Sequence, residues 1–413
     1  MTMKVRALAI SMLMMSAMWL VGCGHYVCTK GFGATTCGSG GNGGFSQGSS
    51  GSSSTAAFAF AVDEAGTIDG YTLTTGGTTP SFAATASYTA PTVPTNAEGS
   101  GMVVAQKKYL YTAFPGTGQI YAYTIGTGGG LTAIANSPFS APFLVGEPNG
   151  GLWSMITNPA GTFLFMIDTS GMSVHVYQID STGGLTQVSG SPFAVPFFPG
   201  NLGTDGQGKY LYVAQYPNPS EVAAYAIGST GSLTAVAGSP FSYAVSQVQG
   251  DSSGKYLIGV PNVFGTSGIY VFSIVQSGSS AGAITPVAGS PFATTFAPIG
   301  FAVQPNSGGT LIYTFSENAS ATAYNPIEGF QLDPTSGALT VATGSPYSGV
   351  TSGFWGQFDQ SGANLVVYGG VTDGNTTTTY LGALSVGSDG TLTQPASQLT
   401  LASPGFWTIT DPQ

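Results

Sequence analysis

One phrase returns along this chain at a nearly constant interval. It reads LTAIANSPF at 131–139, LTQVSGSPF at 185–193, LTAVAGSPF at 233–241, ITPVAGSPF at 284–292 and LTVATGSPY at 339–347, with a worn LTQPASQLT at 392–400. The starts lie about 52 residues apart. A period of this size marks a structural unit that cannot bury its apolar face alone and stacks on copies of itself, as the four-stranded blades of a propeller do. Residues 55–413 hold about seven such units.

One unit can be read strand by strand. GLWSMIT at 151–157, FLFMI at 163–167, SVHVYQI at 173–179 and LTQV at 185–188 are short β-rich runs. Turn residues separate them: PAGT, TSG and STGG. No stretch after the leader carries helical periodicity. SPF is read as the end of the outermost strand, where an unpaired edge tolerates proline. A crossing of about seven residues, such as AVPFFPG, then reaches the innermost strand of the next blade. At the chain ends, GFWTITD at 405–411 supplies an innermost strand with nothing after it. AFAFAV at 57–62, IDGYTL at 68–73 and SFAATA at 81–86 supply three strands with no innermost partner. The expected fold is therefore all-β: a seven-bladed propeller of four-stranded antiparallel blades, closed by pairing of the N- and C-terminal strands.

The second-strand runs KYLY at 108–111 and 209–212, with the G-x-L-T turn into the fourth strand, resemble the bacterial lactonase propellers that include 6-phosphogluconolactonases. The resemblance covers nearly all of residues 55–413. It implies hydrolysis of a sugar lactone at a polar site on one end of the central channel. The shared motifs are structural, and no functional residue is carried over from them.

The first 22 residues read as an export signal: Lys4 and Arg6, an apolar run from Ala7 to Leu20, then LVGC at 20–23. This resembles a bacterial lipoprotein signal, which implies lipidation of Cys23 and attachment to a membrane of the cell envelope; an ordinary cleaved signal is the alternative. Residues 23–54 form a Cys-containing segment and a Gly/Ser-rich tether, GSGGNGGFSQGSSGSSS at 38–54, with a reach on the order of 30 Å. Cys28 and Cys37 are close enough in sequence to close a local disulfide in an oxidising compartment. His25 beside them lacks the spacing of a metal site, so no metal or cofactor is expected.

Only 6% of residues are charged and the formal net charge is −10. Without the leader, five lysines and no arginine face 17 acids, which excludes nucleic acid as a partner. It also argues against a phosphorylated substrate, which arginine or lysine would grip. Lys107, Lys108, Lys209 and Lys255 fall at the hairpins between first and second strands. The acids Asp63, Glu64, Glu98, Glu147, Asp168, Glu221, Glu317, Glu328 and Asp373 fall at the opposite end, where the radial returns run.

Generic catalytic patterns carry little. GSSAG at 278–282 matches G-x-S-x-G but lies in a turn between strands, and GSGGNG at 38–43 lies in the tether. His175 occupies a repeat position that elsewhere holds Tyr121 and Tyr270, and reads as a packed residue. The stronger constellation is aromatic. Trp153, Trp355 and Trp407 each stand two residues after a glycine at the start of an innermost strand, and so share one repeat position by sequence. With Glu147 and Glu221 they make a candidate surface for a saccharide at the channel mouth, rings giving apolar area and acids giving acceptors; inter-blade packing is the competing reading. Two functions are thus expected in order: an envelope-anchored, monomeric propeller that binds a neutral saccharide or a protein, and, as the alternative, a hydrolase of sugar lactones.

Overall fold

A computed structural model describes residues 54–410 except 63–65, 76–79, 90–100, 115, 147–153, 262–265, 306–309, 317–325, 348–354, 374–375, 394–397 and 402–405. The apolar runs pair as antiparallel sheets, and there are seven sheets. Counted along the chain, blade one contains Ser54–Val62, Thr67–Thr75 and Ser81–Thr89, with Phe406–Thr410 as its innermost strand. The innermost strands of blades two to seven are Gly101–Ala105, Met155–Thr157, Pro199–Thr204, Gln247–Gly250, Pro298–Val303 and Trp355–Phe358. Each innermost strand touches that of the next blade around the whole ring.

Closure occurs as the sequence predicts. Phe58 pairs with Thr410 and Val62 with Phe406, so the last strand covers the first blade's open edge. The core lies between blades, as seven clusters with one at each interface. This explains the period: every blade repeats the same side chains because every interface must be filled the same way.

Two devices lock neighbouring blades. At the turn into the outermost strand, Gly129, Gly183, Gly231, Gly282 and Gly337 all have positive φ, and each approaches an aromatic ring on the second strand of the preceding blade. At Gly183, a Cβ would stand 2.5 Å from the Tyr109 ring and from Ile134. The second tyrosine of the KYLY run then reaches the same turn: Tyr111 donates to the Gly183 carbonyl at 2.8 Å, and Tyr212 to Gly282 at 3.0 Å. The two motifs recur together because they are the two halves of one inter-blade contact.

The outer edge differs from the sequence expectation. SPF does not end the outermost strand; the edge is built in two pieces. After Leu131–Ala133 the chain turns out, and Phe139–Ser140 rejoins the third strand, with Phe139 opposite Ile120. Phe193 rejoins opposite Val174 in the same way. Between the pieces, the phrase's serine hydroxyl accepts the backbone N–H that the ladder would leave open: Ala122 to Ser137, Val176 to Ser191 and Ala224 to Ser239, each at 2.9 Å. The Ser-Pro bonds of all five phrases are cis. Radial returns start only after the second piece.

Candidate functional site

The channel is lined by the innermost strands, and their register decides which side chains share a level. Opposite the second-strand residues Ala59, Leu164, Leu211, Leu257 and Leu365 stand Ile409, Thr157, Thr204, Gly250 and Phe358. Three residues earlier, toward the radial returns, the level reads Phe406, Ser154, Asn201, Gln247 and Trp355.

Three of these form a polar belt between blades. Ser154 Oγ accepts from Leu202 N at 3.2 Å, Asn201 Oδ1 accepts from Val248 N at 2.9 Å, and Gln247 Nε2 donates to the Ile299 carbonyl at 2.8 Å. Each reaches into the next blade's innermost strand, so these side chains hold the ring together. Trp355, at the same level in blade seven, is 45% exposed, and Gln357 on the same face of the strand is exposed beside it. The alternate residues Gly356 and Phe358 face blade six instead: a Cβ on Gly356 would meet the Phe315 ring, and Phe358 packs near Tyr313. Gln249 in blade five, at the level of Gln357, is also exposed. Among the described residues the innermost strands thus offer an exposed aromatic face, Trp355, and exposed amides, which donate and accept hydrogen bonds without carrying charge.

Trp355 and Trp407 are not at one level. Trp407 pairs with Ala61, which places it level with Gly356, one residue from Trp355. Trp153 and Glu147 lie outside the described residues. Counting from a glycine suggested equivalence because the returns vary in length while the hairpin ends do not. Glu221 stands just before Val222–Ile227 in blade four, half-buried, its carbonyl accepting from Gln215 N at 3.2 Å. Cys23, Cys28 and Cys37 lie outside the described residues.

Two return-side acids prove to be turned inward. Glu328 is buried and accepts from Thr295 N at 2.8 Å and Phe296 N at 3.2 Å, clamping the return that enters blade six. Asp168 accepts from Gly171 N at 2.7 Å and lies 3.4 Å from His175 Nε2. His175, at the position equivalent to Glu328, stacks on Phe143 with ring centroids 3.8 Å apart and so steadies the return entering blade three. Burial pulls its imidazole below the ordinary value, against the opposing effect of its hydrogen bond to the Asp168 carboxylate. The lysines Lys107, Lys108, Lys209 and Lys255 lie at the first hairpins, at the far end from Trp355. Among the described residues, no group of three or more His, Cys, Asp or Glu could hold a metal ion.

Sequence reasoning missed the belt. Its residues differ in type from blade to blade, yet Ser154, Asn201, Gln247 and Trp355 all stand four residues before the hairpin residues Asn158, Asp205, Asp251 and Asp359, and that count was the available signal.

No family model matches the chain. A 110-residue stretch is 30% identical to the 6-phosphogluconolactonase of Erwinia tasmaniensis, covering 27% of this chain and 30% of that protein. The 6-phosphogluconolactonase of Xenorhabdus nematophila is 31% identical over 110 residues, with the same shares covered. The match therefore spans under a third of the length of these relatives. Among solved structures, a Bacteroides uniformis protein described as a candidate 6-phosphogluconolactonase superposes with a TM-score of 0.63 at 13% identity, covering 86% of this chain and 100% of that one. The periplasmic gluconolactonase of Pseudomonas aeruginosa gives 0.56 at 14% identity, covering 87% and 100%. These structural likenesses establish the seven-bladed propeller fold that lactonases of this type share.

Proposed function

We propose that this propeller binds and hydrolyses a neutral sugar lactone at the return-side mouth of its channel. The observation that carries the reading is the exposed ring of Trp355 with the exposed, uncharged amide of Gln357 on the same face of its strand, and a further exposed amide, Gln249, on the innermost strand of blade five. A flat aromatic face suits the apolar face of a sugar ring, and amides suit its hydroxyls. The relatives named as lactonases favour hydrolysis over mere binding. Lactone opening needs a water that loses a proton and a donor toward the carbonyl oxygen. In this reading the amide N–H groups serve as donors, and a return-side carboxylate, Glu221 among the candidates, takes the proton. The substrate is neutral because the sequence's one arginine, Arg6, lies in the leader and the propeller's lysines stand at the other end.

The proposal includes attachment to a cell-envelope membrane through lipid on Cys23, supported by LVGC at 20–23. Cys23→Ser should release the protein from the membrane fraction; unchanged association would defeat this part. The catalytic part is tested by assaying glucono-δ-lactone hydrolysis, with the 6-phospho lactone as comparison. Turnover of the neutral lactone, reduced about tenfold or more in Trp355→Phe without loss of melting temperature, is the expected result. Saccharide-dependent fluorescence of Trp355 without turnover would favour a non-catalytic binding protein. Preference for the phosphorylated lactone would overturn the charge argument.

A further inference from the structure

The outer edges of the seven blades are not alike. In blades two to six the serines Ser137, Ser191, Ser239, Ser290 and Ser345 accept a backbone N–H of the third strand, from Ala122, Val176, Ala224, Val271 and Gly329. A proline follows each serine, and the strand before it is three residues long, as in Leu131–Ala133 and Leu233–Ala235. Blade seven is broken as well, into Leu392–Thr393 and Leu399–Leu401. Such short pieces offer too few consecutive backbone groups to receive another strand.

Blade one lacks these devices. Its outermost strand, Ser81–Thr89, runs for nine residues as SFAATASYT, with no proline and no charged residue. It pairs with Thr67–Thr75 on one side and ends the sheet on the other. Ser81, Ala83, Ala84, Thr85 and Ser87 are exposed along it. The two rings are tucked away, Phe82 toward blade seven and Tyr88 toward blade two, where its hydroxyl accepts from Leu131 N at 2.7 Å. What remains at the edge is small or hydroxylated, with about every second residue turning its N–H and C=O outward. The strand has one irregularity, a bulge at Thr85 that sets Gly70 opposite Ala86 and Tyr71 opposite Ala84. A bulge bends an edge without capping it, and 81–84 and 86–89 continue as strand on either side.

Charge selects the partner. Five lysines against 17 acids, counted without the leader, make two copies of this chain repel each other. Among the described residues, blade one carries a single charged side chain, Asp69, and Ser87 Oγ donates to its Oδ1 at 2.5 Å. Every other blade carries at least two, such as Asp168 and Asp180 in blade three or Asp359 and Asp389 in blade seven. The open edge therefore lies on the blade where two acidic copies meet with least repulsion.

We propose that Ser81–Thr89 is a self-association surface, on which two copies pair antiparallel about a two-fold axis near Thr85 and join their first blades into one continuous sheet. One such contact closes both open edges at once, because the same strand serves on each side. This reading replaces the monomer expected from the sequence, and it does not depend on the lactonase reading.

Sedimentation velocity of the full chain, in detergent so that its apolar leader adds no association, tests the proposal. A contact centred on one strand is small, so a concentration-dependent dimer in the micromolar range is expected. Thr85→Lys sets like charges together across the axis and should weaken association about tenfold or more, with the melting temperature unchanged because the side chain is exposed. Should the bulge make that variant melt lower, Ala83→Lys decides in its place. Orientation is read by cross-linking under mild oxidation. Thr85→Cys should give covalent dimer well above the level due to the chain's own three cysteines. Ser81→Cys should not, since antiparallel pairing holds the two copies of that residue roughly 26 Å apart. A dimer that survives both lysine variants, or equal cross-linking at 81 and 85, overturns the proposal. A chain that stays monomeric throughout the micromolar range overturns it too, and leaves the edge to a strand of another protein.

Discussion

The phenol of Tyr111 in blade two donates a 2.8 Å hydrogen bond to the carbonyl of Gly183, which lies 72 residues further along in blade three. Both groups are buried, and Tyr212 with Gly282 and Tyr313 with Gly390 repeat the contact around the ring. Removing the hydroxyl strands a buried carbonyl, which costs about 1–3 kcal/mol. Tyr111→Phe and Tyr212→Phe should each lower the urea midpoint by that order; an unchanged midpoint would show that the carbonyl finds another donor.

Gly183 itself has φ +84°, and a Cβ there would stand 2.5 Å from the Tyr109 ring. Gly183→Ala combines left-handed strain with overpacking and should cost roughly 2–4 kcal/mol. Gly128, in the equivalent turn of blade two, has no atom within 4 Å of its added Cβ and an unexceptional φ. Thermal melts of Gly183→Ala and Gly128→Ala compare the two, and similar melting temperatures would contradict the packing described.

Asp205 is 1% exposed and accepts from Lys209 N at 2.7 Å and Tyr210 N at 2.8 Å. Burial raises its carboxyl above the ordinary value against those backbone donors. The native state thus holds the proton more tightly than the unfolded chain, and this group's contribution to stability declines as pH rises through its native value. Asn158 makes the equivalent contacts with an amide, accepting from Thr162 N and Phe163 N at 2.9 Å. Asp205→Asn should therefore be no less stable than the parent at pH 7, whereas Asp205→Ala should lose about 1–3 kcal/mol. Equal losses in both, by chemical denaturation, would refute the exchange.

Deleting residues 405–413 removes the strand Phe406–Thr410 and exposes the edge of Ser54–Val62 along with its neighbours. The ring then has an open interface, and the melting temperature should fall by well over 10 °C or cooperativity should be lost. A truncated chain that melts as the full one does would mean that closure contributes nothing.

Tyr123 and Tyr177 are buried, and desolvation pushes their phenols up to about 12 from an ordinary 10. The unfolded chain releases these protons near pH 10 and the native state near pH 12, so stability is flat at neutral pH and falls as pH rises between those values. Tyrosinate absorbance should appear together with unfolding; ionisation well before loss of the native circular dichroism would contradict the burial.

Much of the architecture was legible before any coordinates. The spacing of LTAIANSPF and its relatives announced the blades, and the orphan strand GFWTITD announced closure, because a propeller interface must be filled by similar residues at similar intervals. The outer edge was misread, since a proline near a strand end says only that a ladder hydrogen bond is absent. It does not say that Ser137 accepts the Ala122 N–H and that Phe139 rejoins the sheet.

The sequence alone determined that seven similar units close into a ring and that the propeller's lysines and many of its acids lie at opposite ends, because both follow from counting residues between turns. Tertiary structure alone decided which side chains share a level in the channel. Trp355 and Trp407 each follow a glycine by two residues, yet pairing with Tyr368 and Ala61 sets them one level apart. A shift of one residue in a strand exchanges one face for the other, and the returns before each innermost strand vary in length. Register is therefore set by the hairpin at the other end, through Asp359 accepting from Asn364 N and its counterparts. The same geometry turned Glu328 and Asp168 inward onto backbone N–H groups and left Trp355 exposed. Those assignments depend on which blade each side chain meets, and that relation exists only once the ring has closed.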